Sequence, residues 1–327
     1  MKIRRLGNTG LKVSEICLGT MTFGGQCDEA TSRAILDRAA AGGVTFIDAA
    51  DAYPVPPTAE TAGRTEEIVG RWLEGRRDNF VLATKCRIRV GTQPNDEGLS
   101  RRHVLRAVED SLRRLGTDYI DLYQAHSPDP DTPLDETLRA FDDLVRAGKV
   151  RYVGCSNYPA WQVALALGIS DRLGLARWQC VQPRYNLLYR DIEAELLPLC
   201  RDQGLGVIPY NPLAGGFLSG KYRSLKEEPP ANTRFTMGKT GELYRQRYWQ
   251  QAQLEAVKRL QDFFGPRGKK LTTVAVAWVL AQPGISAAIV GASRPEQLDD
   301  SLAASEMTLD DAERAACNEA WLSLPRS

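Results

Sequence analysis

Histidine is nearly missing from this chain: His103 and His126 are the two in 327 residues. Neither belongs to an H-x-x-x-H pair or a Cys/His cluster, so a zinc site is not expected. No C-x-x-C pair occurs either. The seven cysteines (17, 27, 86, 155, 180, 200 and 317) are scattered and odd in number. A chain this long needs no disulfide staples, so reduced thiols and a cytoplasmic setting are expected. Charge of one sign is also lacking: 42 Lys and Arg stand against 41 Asp and Glu, a formal net charge of +1. That balance argues against a nucleic-acid binder or a membrane-surface protein, although a local basic pocket is compatible with it. Met1-Lys2-Ile3-Arg4-Arg5 is basic, but no apolar region follows, so it does not read as a secretory signal. The most apolar stretch, residues 271–292, is broken by Gln282, Pro283 and Gly284. It reads as a helix, a turn and a strand, not a membrane span, and a soluble protein is expected.

What is present is a globular composition, 43% hydrophobic and 25% charged. No linker or low-complexity segment divides it. Short β-branched runs alternate with amphipathic stretches. The strand candidates are Ile16-Cys17-Leu18, Thr45-Phe46-Ile47, Phe80-Val81-Leu82-Ala83, residues 119–125, Arg151-Tyr152-Val153, Gln179-Cys180-Val181, Val207-Ile208 and Ala287-Ala288-Ile289-Val290. One helix carries Ile68, Val69, Trp72 and Leu73 on a face. The next starts at the N-cap Ser100, carries Val104, Leu105, Val108, Leu112 and Leu115, and stops at Gly116. A further helix is announced by Thr132-Pro133, with Asp135 placed to close a capping box.

Eight strands, each followed by helical sequence, imply a parallel sheet buried on both faces. Two features favour a closed barrel over a doubly wound sheet. No G-x-G-x-x-G follows the first strand. Nearly every strand also ends on a polar or glycine residue: Asp48, Lys85, His126, Ser156-Asn157, Gln182, Tyr210, Gly291. Strand ends converging on one site mark the C-terminal mouth of a barrel. The expectation is one (β/α)8 TIM-barrel domain over the whole chain. A small hairpin precedes it, with an Asn8-Thr9-Gly10 turn.

Four strand-end residues make a chemical unit, although each has a plainer reading. Asp48 also suits a helix cap, Tyr53 is one of 11 tyrosines, and Lys85 also suits a snorkelling surface lysine. His126 shares a strand face with Ile120, Leu122 and Gln124, and is either aimed into the barrel or a satisfied core histidine. Together they suit carbonyl reduction. A carbonyl that gains a hydride becomes an alkoxide and needs a proton, which a phenol of reference pKa ~10 still holds at neutral pH. A nearby ammonium makes that phenol more acidic, and a carboxylate holds the ammonium. An imidazole can polarise and orient the carbonyl.

These motifs resemble the aldo-keto reductases along nearly the whole chain. The carrying stretches are GTMTFG at 19–24, FIDAADAY at 46–53, ATK at 83–85, RLGTDYIDLY at 114–123 and GKVRYVGCSN at 148–157. The resemblance implies that Asp48, Tyr53, Lys85 and His126 form the catalytic tetrad and that a nicotinamide cofactor is used. It further implies cofactor contacts from Thr20 and Met21, a carboxamide held by Ser156, Asn157 and Gln182, and a ring stacked on Tyr210. Residues 211–221 resemble a pyrophosphate-covering loop, with Asn211, Pro212, Leu213, Gly215, Ser219 and Lys221 as contacts and Arg234 further along. That loop is expected to extend over about 211–248. Residues 291–297 resemble the adenosine-phosphate site, with Gly291, Ser293, Arg294 and Gln297. Ser293 and Glu296 are spaced as a capping box, so a helix end there suits a phosphate. The expected cofactor is NADPH, read from Arg294.

Two stretches depart from the family pattern. The short Gly/Ser-rich step after the catalytic tyrosine is replaced by PVPPTAET at 54–61, a stiffer loop that a bacterial branch of the family also carries. Where an asparagine often contacts adenine, this chain has Ser301. Two other readings compete. Residues 215–221 spell G-x-x-x-x-G-K, but Tyr222 stands where a P-loop needs Ser or Thr, and Glu227-Glu228-Pro229-Pro230 follows instead of a regular helix. Potassium-channel β subunits share the fold and tetrad and act largely as cofactor-bound sensors. The substrate is a small carbonyl compound whose identity is not legible, and neither is the oligomeric state. The aromatics between Phe217 and Trp249 either wall an aromatic-friendly pocket or pack the loop down. Arg87 and Arg89 either attract anionic substrates or face solvent.

Overall fold

In a computed structural model that describes residues 1–231 and 233–325, eight parallel strands follow a small antiparallel hairpin. The hairpin pairs β1 (Ile3–Arg5) with β2 (Lys12–Ser14). The barrel strands are β3 (Ile16–Gly19), β4 (Phe46–Asp48), β5 (Val81–Cys86), β6 (Ile120–Ala125), β7 (Val150–Ser156), β8 (Cys180–Gln182), β9 (Gly206–Val207) and β10 (Ala288–Val290). Their order in the sheet is β10-β3-β4-β5-β6-β7-β8-β9, each in parallel register with its neighbour. Bridges from Val207 to Ile285 and from Tyr210 to Ile289 join the two ends. There the Ser286 N–H donates to the Val207 carbonyl at 2.8 Å and the Ile289 N–H to Pro209 at 2.9 Å. The expected (β/α)8 architecture is present, with the eight strands where the β-branched runs placed them.

Helices cover the outside by turning apolar faces to the sheet, and α3 shows the pattern. In α3 (Arg101–Leu115) the buried residues His103, Val104, Ala107, Val108, Ser111, Leu112 and Leu115 recur at helical spacing. Ser100 caps it by accepting the His103 N–H, and Gly116 ends it in the left-handed conformation at φ 62°. The helix packs between α2 (Arg64–Leu73) and α4 (Leu134–Arg146). Each large apolar side chain sealed in that layer contributes roughly 1.5–3 kcal/mol over an exposed one. The cap expected before α4 does not form. The helix starts at Leu134 with Pro133 as its cap residue and no side-chain cap. Thr132 Oγ donates instead to Asp129 Oδ2 at 2.7 Å, because that carboxylate also gathers the Leu99 and Asp131 N–H groups.

A second, smaller core fills the barrel itself: Cys17, Phe46, Ala83, Leu122, Cys180, Ile208, Ala287 and Ile289, joined from below by Leu6 and Val13 of the hairpin. The expected hairpin is present, and its turn holds Asn8-Thr9-Gly10 as read from sequence. This hairpin plugs the N-terminal end. The Asn8 N–H donates to the Gly204 carbonyl at 2.8 Å, and a β carbon at Gly7 (φ 56°) would come within 2.4 Å of Gly204 O. With that end closed, only the C-terminal mouth is open for a site.

The segment after β9 is built of a short 3-10 helix (Ala214–Ser219), another at Arg234–Thr236, and α7 (Gly238–Tyr248). Its aromatics pack the loop down instead of walling a pocket. Phe217, Phe235 and Tyr248 are fully buried, and the rings of Phe217, Tyr222, Phe235 and Trp249 lie 5.1–5.9 Å apart. No regular helix follows Lys221 directly, which removes the remaining support for a P-loop. The apolar stretch divides into α9 (Leu271–Leu280), a turn and β10. Among the described residues no helix is long and apolar enough to cross a membrane.

Candidate active site

Asp48 ends β4 and Lys85 lies near the end of β5, both turned into the barrel. Lys85 is fully buried, and its Nζ donates to Asp48 Oδ2 at 2.6 Å and to the Ala49 carbonyl at 2.8 Å. Asp48 Oδ1 accepts from Gln182 Nε2 at 2.8 Å and from Gln124 Nε2 at 3.4 Å. The carboxylate is thus satisfied on both oxygens, which a buried charge requires. Burial opposes the Lys85 charge, but Asp48 and Tyr53 outweigh it and raise its pKa, so the ammonium persists. The strand is buttressed from outside: Thr84 Oγ donates to the buried Glu66 at 2.6 Å, and Arg114 pairs with the other Glu66 oxygen at 2.7 Å.

Tyr53, just beyond β4, and His126, just beyond β6, complete the group. The Lys85 ammonium sits 5.0 Å from the Tyr53 ring centroid, and the Tyr53 and His126 rings meet edge to face at 5.8 Å. Burial raises the phenol pKa above its usual 10, while Lys85 pulls the other way. The phenol therefore holds its proton at neutral pH. His126 is pushed well below its usual range by burial, then by the positive charges of Lys85 and Arg87, so its ring is neutral. Its Nδ1 is sealed from solvent without a hydrogen-bond partner.

The residues expected to hold a carboxamide lie alongside. Asn157 (φ 63°) donates through Nδ2 to the His126 carbonyl at 2.9 Å and accepts from the Tyr210 hydroxyl at 2.8 Å. Ser156 Oγ donates to the Gln182 carbonyl at 2.8 Å. Thr20 is fully buried and its hydroxyl is spent on the Asp48 carbonyl at 2.8 Å, while the Met21 carbonyl accepts the Val55 N–H at 3.1 Å.

The chain beyond Tyr210, which bridges to Ile289, loops back to the end of β10. Asn211 (φ 67°) accepts the Gly215 N–H and donates to the Tyr248 hydroxyl, tying down the turn through Pro212 and Leu213. Gly215 and Gly216 have φ 69° and 91°, which only glycine adopts without cost. Ser219 Oγ bonds the Gly216 carbonyl at 2.7 Å. Lys221, Arg234 and Arg294 form no salt bridge among the described residues. Partial burial and the Arg294 charge together lower the Lys221 pKa. A β carbon at Gly291 would lie 3.8 Å from Arg234 Nη2. Like charges gathered without counter-ions suit the phosphates of a dinucleotide.

The capping box read at Ser293 and Glu296 is absent. The Ser293 N–H and hydroxyl both reach Gln297 Oε1, at 2.8 and 3.2 Å. Pro295 opens the helical turn, so Arg294 takes the cap position and no side chain caps it. The helix that follows spans only Leu298–Ala303, so a strong helix dipole is lacking there. Ser301, where the family pattern places an adenine contact, is buried on it.

The aldo/keto reductase family model matches residues 15–322. The uncharacterized oxidoreductase YrpG of Bacillus subtilis (strain 168) is 41% identical over 318 residues, 95% of this chain and 93% of that one. The chain belongs to the aldo/keto reductase family. It is thereby an oxidoreductase of that family, whose members generally use NAD(P)H on small carbonyl compounds. Other similar proteins differ in what their names describe. A probable voltage-gated potassium channel subunit beta of Arabidopsis thaliana is 36% identical, covering 94% of this chain and 92% of its own. The versiconal hemiacetal acetate reductase of Aspergillus parasiticus is 33% identical, covering 94% of each.

Within this aldo/keto reductase, the sequence reading passed over Gln124 as a site residue. Its signal was its spacing: a polar residue two before His126, on the inward face of an otherwise apolar strand. Thr84, Glu66 and Arg114 were passed over too. They act behind the strand, and no local pattern joins them.

Proposed function

We propose that this protein reduces an aldehyde or ketone to an alcohol with NADPH, Tyr53 giving its proton to the carbonyl oxygen. The observation that carries the reading is the fully buried Lys85 ammonium, bonded to Asp48 at 2.6 Å and set 5.0 Å from the Tyr53 ring. Burying a lysine this way is costly unless its charge is used, and here it bears on a phenol at an open barrel mouth. When bound, the reduced nicotinamide supplies the hydride. Tyr53 loses its proton as the oxygen becomes basic, and Lys85 stabilises the phenolate left behind. Asp48 holds Lys85 in place. The neutral His126 carries its proton on Nε2, since Nδ1 faces no acceptor, and orients the carbonyl by donating to it.

Ser156, Asn157 and Gln182 would hold the carboxamide, with Tyr210 beneath the ring. Lys221, Arg234 and Arg294 would take the phosphates, and the loop at about 211–248 would cover them. The whole chain acts as one domain on soluble small molecules in the cytoplasm. Similarity to a potassium channel subunit beta supports a second reading, a slow NADP(H)-bound sensor. Steady-state turnover on short aliphatic, aromatic and sugar aldehydes with each reduced cofactor separates the two. The reductase reading expects sustained turnover with NADPH on at least one class. Bound NADPH oxidised over only a single slow turnover would favour the sensor.

A further inference from the structure

We propose that Arg87 receives a carboxylate carried by the carbonyl substrate, making this an enzyme for small anionic aldehydes or keto acids. The proposal rests on the reductase reading. Arg87 immediately follows β5. The preceding Cys86 carbonyl accepts the His126 N–H at 3.0 Å, so Arg87 lies beside His126 across neighbouring strands at the open mouth. Its backbone is held at φ 138°, a region side-chain-bearing residues rarely adopt, with the Gly98 N–H fixing its carbonyl at 2.9 Å. Among the described residues the other non-glycine positions at positive φ are Asn157, directly after β7, and Asn211 and Ala214, in the loop after β9. Such outliers persist where a site over-determines them.

The guanidinium itself is short of partners. Its Nε is sealed from solvent and hydrogen-bonded to nothing, and among the described residues no acid pairs with it. Buried polar nitrogens are rarely left so. Arg89, two residues on, pairs with Glu97 at the surface. Asp129 is the acid that feels the Arg87 charge, but its oxygens are taken by Leu99 N at 2.6 Å, Thr132 Oγ at 2.7 Å and Asp131 N at 3.2 Å. The same charge bears on His126, where it joins burial and Lys85 in lowering the pKa, and on Tyr158, where it is the one influence opposing the rise that burial causes. A planar cation fixed next to the carbonyl-orienting imidazole, with its counter-ion missing, matches a carboxylate a few atoms from the reacting carbon.

The test compares kcat/KM for 4-carboxybenzaldehyde and its neutral methyl ester, with NADPH, in wild type, Arg87→Gln and Arg87→Lys. A charge-assisted contact implies a wild-type preference for the acid of roughly 10- to 150-fold. In Arg87→Gln that ratio should collapse toward one, and Arg87→Lys should restore part of it. A wild-type ratio near one, a ratio that survives in Arg87→Gln, or an equal loss on both substrates overturns the proposal. Should wild type reduce neither compound, the aldehyde panel above decides the reductase reading, and calorimetry with 4-carboxybenzyl alcohol decides about the site. Binding that weakens at least roughly tenfold in Arg87→Gln upholds the carboxylate subsite, and unchanged or absent binding overturns it.

Discussion

Replacing Lys85 by methionine keeps the length of the side chain and removes its charge, so it isolates what that ammonium does to Tyr53. The ammonium lies 5.0 Å from the phenol ring. At an effective dielectric of about 20, a unit charge at that distance is worth about 3 kcal/mol to the phenolate. At ~1.36 kcal/mol per unit, this is a rise of about two pKa units. The sign follows from the charges. Burial already holds the phenol above its ordinary value, Lys85 is the group opposing that, and Asp48 acts in the same direction as burial. Removing Lys85 therefore leaves burial, Asp48 and Tyr244, which all raise the pKa, with nothing comparable to oppose them.

The assay is the pH dependence of kcat/KM for alcohol oxidation, where Tyr53 must be ionised to accept the proton. The limb should move upward by about two units, and at a fixed pH below both limbs the rate should fall roughly 10²-fold. A limb that stays in place, in a variant that is folded by circular dichroism, would refute the reasoning by showing that Lys85 does not govern the acid.

Two further substitutions probe the proposed phosphate contacts and the scaffold. Arg294→Ala should weaken NADPH roughly 10- to 150-fold and barely touch NADH, read as dissociation constants from fluorescence quenching. Equal losses, or a wild type preferring NADH, would remove Arg294 from the ribose phosphate. Arg114→Met strands the buried Glu66 and should cost about 3–5 kcal/mol in urea unfolding. A loss under about 1 kcal/mol would mean that the buttress behind β5 is not structural.

The strands and the mouth were readable because their signal is local and repeated. Nearly every run of β-branched residues ends on a polar or glycine residue, and Asp48, Lys85 and His126 stand at the ends of neighbouring strands. The two capping boxes were misread for the opposite reason. Thr132 has the right neighbour three residues on, but Asp129, three residues before it, offers its hydroxyl a carboxylate that sequence spacing ranks no higher. At Ser293 the proline at 295 moves the helix start and leaves Gln297 to take the serine. The aromatics of 217–249 were left undecided because periodicity cannot separate a pocket wall from a core. Their mutual ring distances decide it. Arg87 was left between attracting anionic substrates and facing solvent, since neither its positive φ nor its unpartnered Nε has a sequence signature.

The central claim is that Tyr53 donates the proton, and the phenylalanine variant tests it most directly. Tyr53→Phe removes one hydroxyl and leaves the ring beside His126 and Lys85. The account predicts a fall in kcat of ~10²–10⁴-fold for aldehyde reduction, with the NADPH dissociation constant unmoved. The measurement is made where a deuterated cofactor shows that hydride transfer limits turnover. A variant that retains more than about a third of wild-type kcat under those conditions contradicts the account.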